Sequence, residues 1–498
     1  MSSIVKTDMQ KWMDKTEVSS YQNFINGKWV SSSSGETYAL YHSANYEQTI
    51  GEFPKSTKED VDQAVKAAHT AFKAWTATPG PERGAILNEF ANLLEKNKEE
   101  MAFRLSAEQG KPLNESLGEV GRAVKEARYG AGEAFRIEGE TLPGERGNVW
   151  NSTIRQSTGV IAAIAPWNFP VVTPVRKIIP ALAFGCTVVY KPASVTPWTS
   201  ILLMELLSEA GVPAGVVNLI IGSGSEAGNP LIEHPLVKGI SFTGSSELGK
   251  KINGSAGQRL VKTQLELGGK NPAVVLDYKN PQEVAAQIVS AAFACSGQRC
   301  TSISRVVVTK DKKEELTKAL VEETKKLVVG PAWQEDANVG PLINKSHLES
   351  VQGYVKSAKE EGARLLYGGE ILKEGEFASG AYMVPAIFDQ VSPEMKVAKE
   401  EIFGPVLIVL EVEDAKEALE VANGVQYGLA AAIFTDQLQE AFQFAEQAEA
   451  GMVHVNHGTA SAAHLPFGGI KQSGAGAFSI GHTNIEFYTN VKSVYFQY

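Results

Sequence analysis

From Val160 onward the chain alternates short apolar runs with helix-length segments, and this texture limits the possible folds more than any other feature. The runs are Val160 to Ala165, Thr187 to Tyr190, Val216 to Ile221 and Gly239 to Phe242. Helical stretches fit between them, at Pro174 to Phe184 and Pro197 to Ala210. A short run that is apolar on both faces reads as a strand covered on both sides, and a helix between two such runs returns the chain for parallel pairing. The predicted architecture is a doubly wound α/β sheet. The pattern restarts after Gly268-Gly269, with strands at Ala273 to Leu276 and Ser304 to Thr309 around a helix at Pro281 to Ala294. It continues through Phe403 to Leu410, Gly428 to Phe434 and Val453 to Asn456. Two α/β domains abutting near residue 270 are the simplest reading, and 498 residues suffice for two or three domains.

Upstream, Tyr21 to Val30 reads as a strand pair turning at Asn26-Gly27. Helical spacing runs over Asp60 to Trp75, Pro81 to Glu108 and Pro112 to Gly132, with Thr57 and Pro79 near helix starts. Residues 1–20 read as a polar, partly disordered lead-in. Met1 to Lys15 is charged throughout and has no apolar core, so no signal peptide is expected. Apolar stretches such as Val160 to Trp167 are too short to span a bilayer. With 47 basic against 57 acidic residues the net charge is −10, which disfavours nucleic acid and anionic membranes as partners. The three cysteines, Cys186, Cys295 and Cys300, are too sparse for a disulfide framework and fit a reducing compartment. No His/Cys spacing suits a metal, and the expected location is the cytoplasm.

Five segments carry potential chemistry. Cys300 ends Phe293-Ala-Cys-Ser-Gly-Gln-Arg-Cys, where Gly297 should stop a helix and leave Cys300 on a loop. It reads as a nucleophile whose thiolate Arg299 would favour, or as the small buried hydrophobe that most free cysteines are. Glu266, just before Gly268-Gly269, is either a movable base or, more commonly for such a strand residue, a solvated carboxylate. Asn168, between a strand and a helix and bracketed by Pro166 and Pro170, is placed to present a fixed amide or is turn punctuation. Gly222 to Gly228 and Phe242 to Gly249 each follow a strand and open a helix, where phosphate can be cradled. No G-x-G-x-x-G is present.

Together these segments resemble the aldehyde dehydrogenase superfamily, from about Tyr21 to the C-terminus. The motifs occur in order: Pro166-Trp-Asn-Phe-Pro, Lys191-Pro-Ala-Ser, Phe242-Thr-Gly-Ser, Leu265-Glu-Leu-Gly-Gly-Lys, Gly297-Gln-Arg-Cys, Glu401-Ile-Phe-Gly-Pro and Pro466-Phe-Gly-Gly. The resemblance implies two doubly wound α/β domains, a Rossmann-like cofactor domain and a catalytic domain, with a small β oligomerisation arm. The implied boundaries are 21–142 with 160–268 for NAD(P), 269–481 for catalysis, and 143–159 with 482–498 for the arm. A homodimer or homotetramer is implied.

In the family pattern Cys300 is the nucleophile, Glu266 activates the hydrolytic water, and the Asn168 amide with the Cys300 backbone N–H holds the oxyanion. Trp167, Lys191, Ser194, Gly244, Ser245, Glu401 and Phe403 would contact NADP or NAD. Where NAD-specific members usually have a ribose-binding glutamate this chain has Ser194, which admits a 2′-phosphate. Arg122 and Arg176 map to the substrate tunnel, with Phe467 nearby. Arginine at the Arg176 position is shared with the succinate-semialdehyde group. The implied substrate is a small aldehyde with a distal anion: 2-oxoglutarate or succinate semialdehyde, or a sulfonate or phosphonate aldehyde. Two alternatives stand beside it. One is a broad dehydrogenase of neutral or aromatic aldehydes with an arginine turned to solvent; the other is a non-catalytic protein on the same scaffold. One departure is plain: many members have Arg-Glu where this chain has Ala477-Phe478, so the family's proton-relay glutamate is missing.

Overall fold

The computed structural model describes residues 18–498. The expected lead-in over 1–20 falls mostly outside them; of its described residues, Ser19–Ser20 form a strand paired to Asn45–Pro54.

The first large sheet has five parallel strands at its centre. In spatial order they are Lys262–Glu266, Val237–Thr243, Val160–Ile164, Thr187–Lys191 and Val217–Leu219. Antiparallel strands finish both edges: Gly474–Ala475 on one side, and the hairpin Asn23–Ile25 and Lys28–Val30 on the other. The pleat explains why these runs are apolar throughout. Ile161, Ala163 and Val188 enter one core, and Val160, Ala162 and Val189 enter the core on the opposite face. The winding direction reverses between Val160–Ile164 and Val237–Thr243, which opens a crevice beyond their carboxyl ends. Asn168 and Gly244-Ser245 lie on the loops that leave those two strands.

The second sheet repeats the design with strands Ala386–Asp389, Val406–Val412, Ile303–Thr309, Asn271–Val275, Ala430–Phe434 and Met452–Val455, all parallel. Alternation again splits them: Ala273, Val306 and Leu407 face one core, and Val274, Val307 and Ile408 face the other. Strand Thr489–Gln497 pairs antiparallel with Val149–Ser157, and Thr141–Pro143 lies on the far side of the latter. This three-stranded arm exposes Trp150, Tyr495 and Phe496.

Two elements differ from expectation. The single helix predicted over Pro81 to Glu108 is two, Gly80–Lys96 and Lys98–Gln109. At the break Asn97 leaves helical geometry (ψ 18°), and its side chain caps the first helix by donating to Leu93 O at 2.8 Å. The second is an unpredicted sheet in which Thr37–His42 pairs with Asn45–Pro54. The helix predicted from Asp60 spans Lys58–Ala77, with Thr57 and Asp60 forming a reciprocal capping box. Among the described residues no helix is long and apolar enough to cross a membrane.

Candidate active site

One cavity of about 670 Å³ lies where the Asn168 and Ser245 loops meet the loop before Ile303–Thr309. Cys300, Glu266, Asn168, Trp167, Gly244, Ser245, Glu401, Phe403, Arg122, Arg176 and Phe467 all line it. Lys191 and Ser194 lie outside its lining.

The Cys300 loop is tightly determined. After the helix Pro281–Phe293, Cys295, Ser296 and Gly297 adopt φ values of 54°, 57° and 71°, so the helix stops before Gly297 rather than at it. A side chain at Gly297 would place its Cβ 2.3 Å from Gly404 O. Buried Gln298 fastens the loop by accepting from Ile343 N at 2.9 Å and donating to Cys295 O at 3.1 Å. Asn271 holds Cys300 O at 2.7 Å. Cys300 itself is partly exposed, on the cavity wall.

Burial pushes the Cys300 thiol well above its usual range; the charges of Glu266 and Glu401 add to this and Arg176 opposes it. The expected help from Arg299 is corrected. That guanidinium is directed at Thr301 Oγ1 (3.3 Å) and Thr459 O (3.2 Å), and the cation acting on the thiol is Arg176. Glu266 is not the solvated carboxylate usual at such a position. It is 5% exposed, its Oε1 has no hydrogen-bond partner among the described residues, and burial raises its pKa against the pull of Cys300, Arg176 and Lys177. An unpartnered, desolvated carboxylate oxygen in a cavity suits proton abstraction from a molecule that enters it. Asn168 Nδ2 donates to Gln298 O at 2.8 Å, which ties the amide to the Cys300 loop.

Asn168 is held from behind by residues the sequence reading missed. Lys111 Nζ donates to Asn168 O at 2.8 Å and to Glu119 Oε2 at 2.6 Å. Glu119 Oε1 in turn accepts from Val171 N and Val172 N, at the start of helix Val172–Ala183. Arg176 lies on that helix and forks onto buried Glu126, with Nε–Oε2 3.0 Å and Nη2–Oε1 2.8 Å; its guanidinium sits 4.3 Å from the Phe467 ring centroid. Arg122 Nε shares Glu126 Oε1 at 2.7 Å, and its Nη1 donates to Ser461 O. Among the described residues Arg122 Nη2 is buried with no partner. The two arginines therefore do meet in one place, joined by a carboxylate that the sequence reading did not include.

At the other end of the cavity Glu401 accepts from Gly269 N at 2.8 Å, and burial raises its pKa to about 7. A Cβ at Gly268 would stand 2.3 Å from Glu401 Oε2, so only glycine lets the carboxylate lie there. Phe403 meets Trp167 edge-on at 5.4 Å, and its carbonyl accepts from His347 Nε2 at 2.8 Å. Ser245 caps helix Ser246–Gln258. Farther out, Lys191 is buried and its Nζ donates to Pro192 O at 3.0 Å; burial lowers its pKa to about 8. Ser194 Oγ donates to Gly222 O at 2.9 Å, and Tyr38 Oη donates to Ser194 O at 2.7 Å.

The aldehyde dehydrogenase family profile matches residues 29–494. The chain belongs to the aldehyde dehydrogenase family. It is 41% identical over 481 residues to the alpha-ketoglutaric semialdehyde dehydrogenase of Bacillus subtilis, covering 96% of this chain and 99% of that one. It also superposes on an NADP-dependent enzyme of E. coli with a TM-score of 0.93 at 35% identity, covering 98% and 100% of the two chains. For betaine aldehyde dehydrogenase of Staphylococcus aureus in complex with NAD+ the TM-score is 0.95 at 31% identity, covering 99% and 97%.

Within this aldehyde dehydrogenase, Phe478 stands at the position where the resemblance implied a relay glutamate. Its ring lies over Gly468, where a Cβ would come within 2.6 Å. Nearby, Lys177 Nζ donates to Ser241 Oγ at 3.1 Å, and Ser241 Oγ donates to Gln264 Oε1 at 2.9 Å. Cys295, whose role the motif left open, is buried in this wall. Its N–H is held by Glu115 Oε2 at 2.8 Å, and burial lifts its thiol to about 11.

Proposed function

We propose that the protein oxidises an anionic semialdehyde of the 2-oxoglutarate semialdehyde type to its acid, with water as oxygen donor and NADP or NAD as hydride acceptor. The observation that carries this reading is the unpartnered Arg122 Nη2, buried in the same cavity as Cys300 and Glu266. The identity to the Bacillus relative supports the same substrate class. Neither arginine is turned to solvent as the neutral-aldehyde alternative requires: Arg176 is 8% exposed and Arg122 is tied to Glu126 and Ser461.

The chemistry follows from the chain's own groups. Cys300 Sγ, as thiolate, adds to the aldehyde carbon. Asn168 Nδ2 and the Cys300 N–H meet the resulting alkoxide, each such donor contributing about 3–4 kcal/mol of transition-state stabilisation. NAD(P)+ supplies the hydride acceptor when bound. Collapse of the alkoxide then leaves a thioester on Cys300. Glu266 takes a proton from water, the hydroxide adds to the thioester carbonyl, and the thiolate leaves as the acid is released.

The cavity fits a nicotinamide at its Glu401 end. Gly268 and Gly244 leave no room for side chains, and Trp167 and Phe403 provide an apolar wall. Lys191, with no acidic partner among the described residues, suits ribose hydroxyls, and Ser194 brings no charge that would repel a 2′-phosphate. On this reading residues 21–142 with 160–268 hold the cofactor and 269–481 form the catalytic domain. The exposed aromatics of the arm, 143–159 with 482–498, support a homodimer or homotetramer. Kinetics with anionic and neutral aldehydes of equal length, each with both cofactors and read by NAD(P)H absorbance, test the proposal. A higher kcat/KM for the neutral aldehyde refutes it.

A further inference from the structure

We infer that Glu126 is a specificity-determining residue that sets the charge of the distal subsite, tuning it to a singly charged anion; this rests on the anionic-substrate reading above. Glu126 is 4% exposed, on the inner face of helix Leu113–Glu133. Three guanidinium N–H groups converge on it: Arg122 Nε and Arg176 Nη2 on Oε1, and Arg176 Nε on Oε2. No water-facing role is left to this carboxylate. Its effect on the cavity is electrostatic and geometric. Two cations and one anion leave a net single positive charge, and the fork fixes the Arg176 guanidinium over Phe467. What remains for a ligand is Arg122 Nη2, buried and unpartnered, and Arg176 Nη1, which lies outside the Glu126 fork.

A site with one net positive charge matches a carboxylate or sulfonate. A doubly charged phosphonate would bring a second negative charge toward Glu126, which stands behind the two arginines that line the cavity. Without Glu126 the two guanidinium groups would favour the dianion, because each ligand charge gains separately from the lost repulsion. Glu126 thus narrows a pocket that two arginines alone would leave open to phosphonates.

The test uses ligands of one shape and different charge. Propanesulfonate (single charge), propanephosphonate (predominantly doubly charged at about pH 9) and ethyl propyl sulfone (neutral) are measured at that pH as competitive inhibitors of the holoenzyme. Wild type should bind the sulfonate and phosphonate within a few-fold of each other, and both more tightly than the sulfone. Glu126→Gln should shift the ratio toward the phosphonate by at least about tenfold, for a unit charge at contact range in a medium of effective dielectric ~20. The double variant Glu126→Gln with Arg122→Gln restores one net positive charge and should return the ratio to near parity. A merely structural role for Glu126 would weaken all three ligands together. An unchanged phosphonate-to-sulfonate ratio in Glu126→Gln overturns the inference. So does a wild-type preference for the phosphonate above about tenfold, which needs no variant to fold. If the sulfone binds wild type as well as the anions do, the anionic-substrate reading itself falls, and this inference with it.

Discussion

Replacing Arg122 by leucine separates the two arginines. In sequence Arg176 looks like the dominant anion contact and Arg122 the outer member of the pair. The bond pattern reverses that order. Arg176 spends Nε and Nη2 on Glu126, whereas Arg122 keeps a buried Nη2 with no partner. Arg122→Leu removes that open donor and leaves the Arg176–Glu126 fork complete, so the subsite loses its net charge without an orphaned carboxylate. A charge-assisted hydrogen bond contributes about 1.5–3 kcal/mol, so KM for succinate or 2-oxoglutarate semialdehyde should rise roughly ten- to a hundredfold. A neutral aldehyde of equal length should keep its KM, and the melting temperature should barely move. Arg176→Leu is expected to behave differently. It removes the hydrogen bond that Arg176 Nε gives Glu126 Oε2 inside a buried pair, a change that costs about 3–5 kcal/mol in comparable sites. That variant should lose thermal stability and damage both substrates. Steady-state kinetics with paired anionic and neutral aldehydes, together with calorimetric melting, decide the matter. An unchanged anionic KM in Arg122→Leu refutes the assignment of Nη2 to the substrate.

Three further outcomes are expected. Glu266→Gln should still release about one NAD(P)H per active site in a rapid burst and then turn over slowly, because hydride transfer precedes the step that needs the base. Because the Glu266 charge raises the Cys300 thiol, the burst rate of this variant should also reach its plateau at lower pH than in wild type; stopped-flow pH profiles that coincide would contradict that coupling. Ser194→Glu should weaken NADP far more than NAD, measured as the ratio of cofactor KM values, and an unchanged ratio means that residue 194 does not face the ribose. His42 supplies a stability test: its buried ring accepts from Ala44 N at 3.1 Å, and desolvation lowers its pKa from 6.5 to about 4. The unfolded chain binds this proton near pH 6.5 and the folded chain does not, so up to about 3 kcal/mol of stability is lost as pH falls from 6.5 toward 4. Urea melts of His42→Asn should show a shallower acid slope than wild type, and identical slopes would rule the histidine out as the cause.

The fold was legible where local rules and burial agree. Strands buried on both faces, such as Val160–Ile164 and Thr187–Lys191, are apolar without interruption, and flanking glycines and prolines mark their ends. The sheet formed by Thr37–His42 and Asn45–Pro54 was not legible. Its turn at Ser43-Ala44 carries no glycine or Asn-Gly signal, and register shifts at Leu40, Tyr41 and His42 break the alternation a strand reading depends on. The split at Asn97 was hidden for a related reason. Apolar spacing continues through Leu93, Leu94, Met101 and Leu105, because both helices bury their faces in the same core.

The site was legible where chemistry demands a fixed residue type and hidden where charge is balanced out of sight. Cys300, Glu266 and Asn168 stand in motifs, and the structure brings them to one cavity. Glu126 and Glu119 have no such marker. Arg122 followed four residues later by Glu126 reads as an ordinary solvated helix pair of small worth. The helix register holds the available signal. Ser116, Glu119, Ala123, Glu126 and Gly130 fall on one face, and in the structure Ser116, Glu119, Ala123, Glu126 and Gly130 are all buried. Two glutamates among small residues on a helix's inner face cannot be solvated, and each must find a cation there. Glu119 takes Lys111 and thereby steadies the Asn168 loop; Glu126 takes Arg122 and Arg176 and thereby sets the charge a substrate meets. The buried carboxylates of this one helix thus link the oxyanion donor to the distal anion contact. Kinetic effects of Lys111 and Arg176 variants should therefore be non-additive if the helix Val172–Ala183, gripped at its start by Glu119 and along its length by Glu126, moves as a unit.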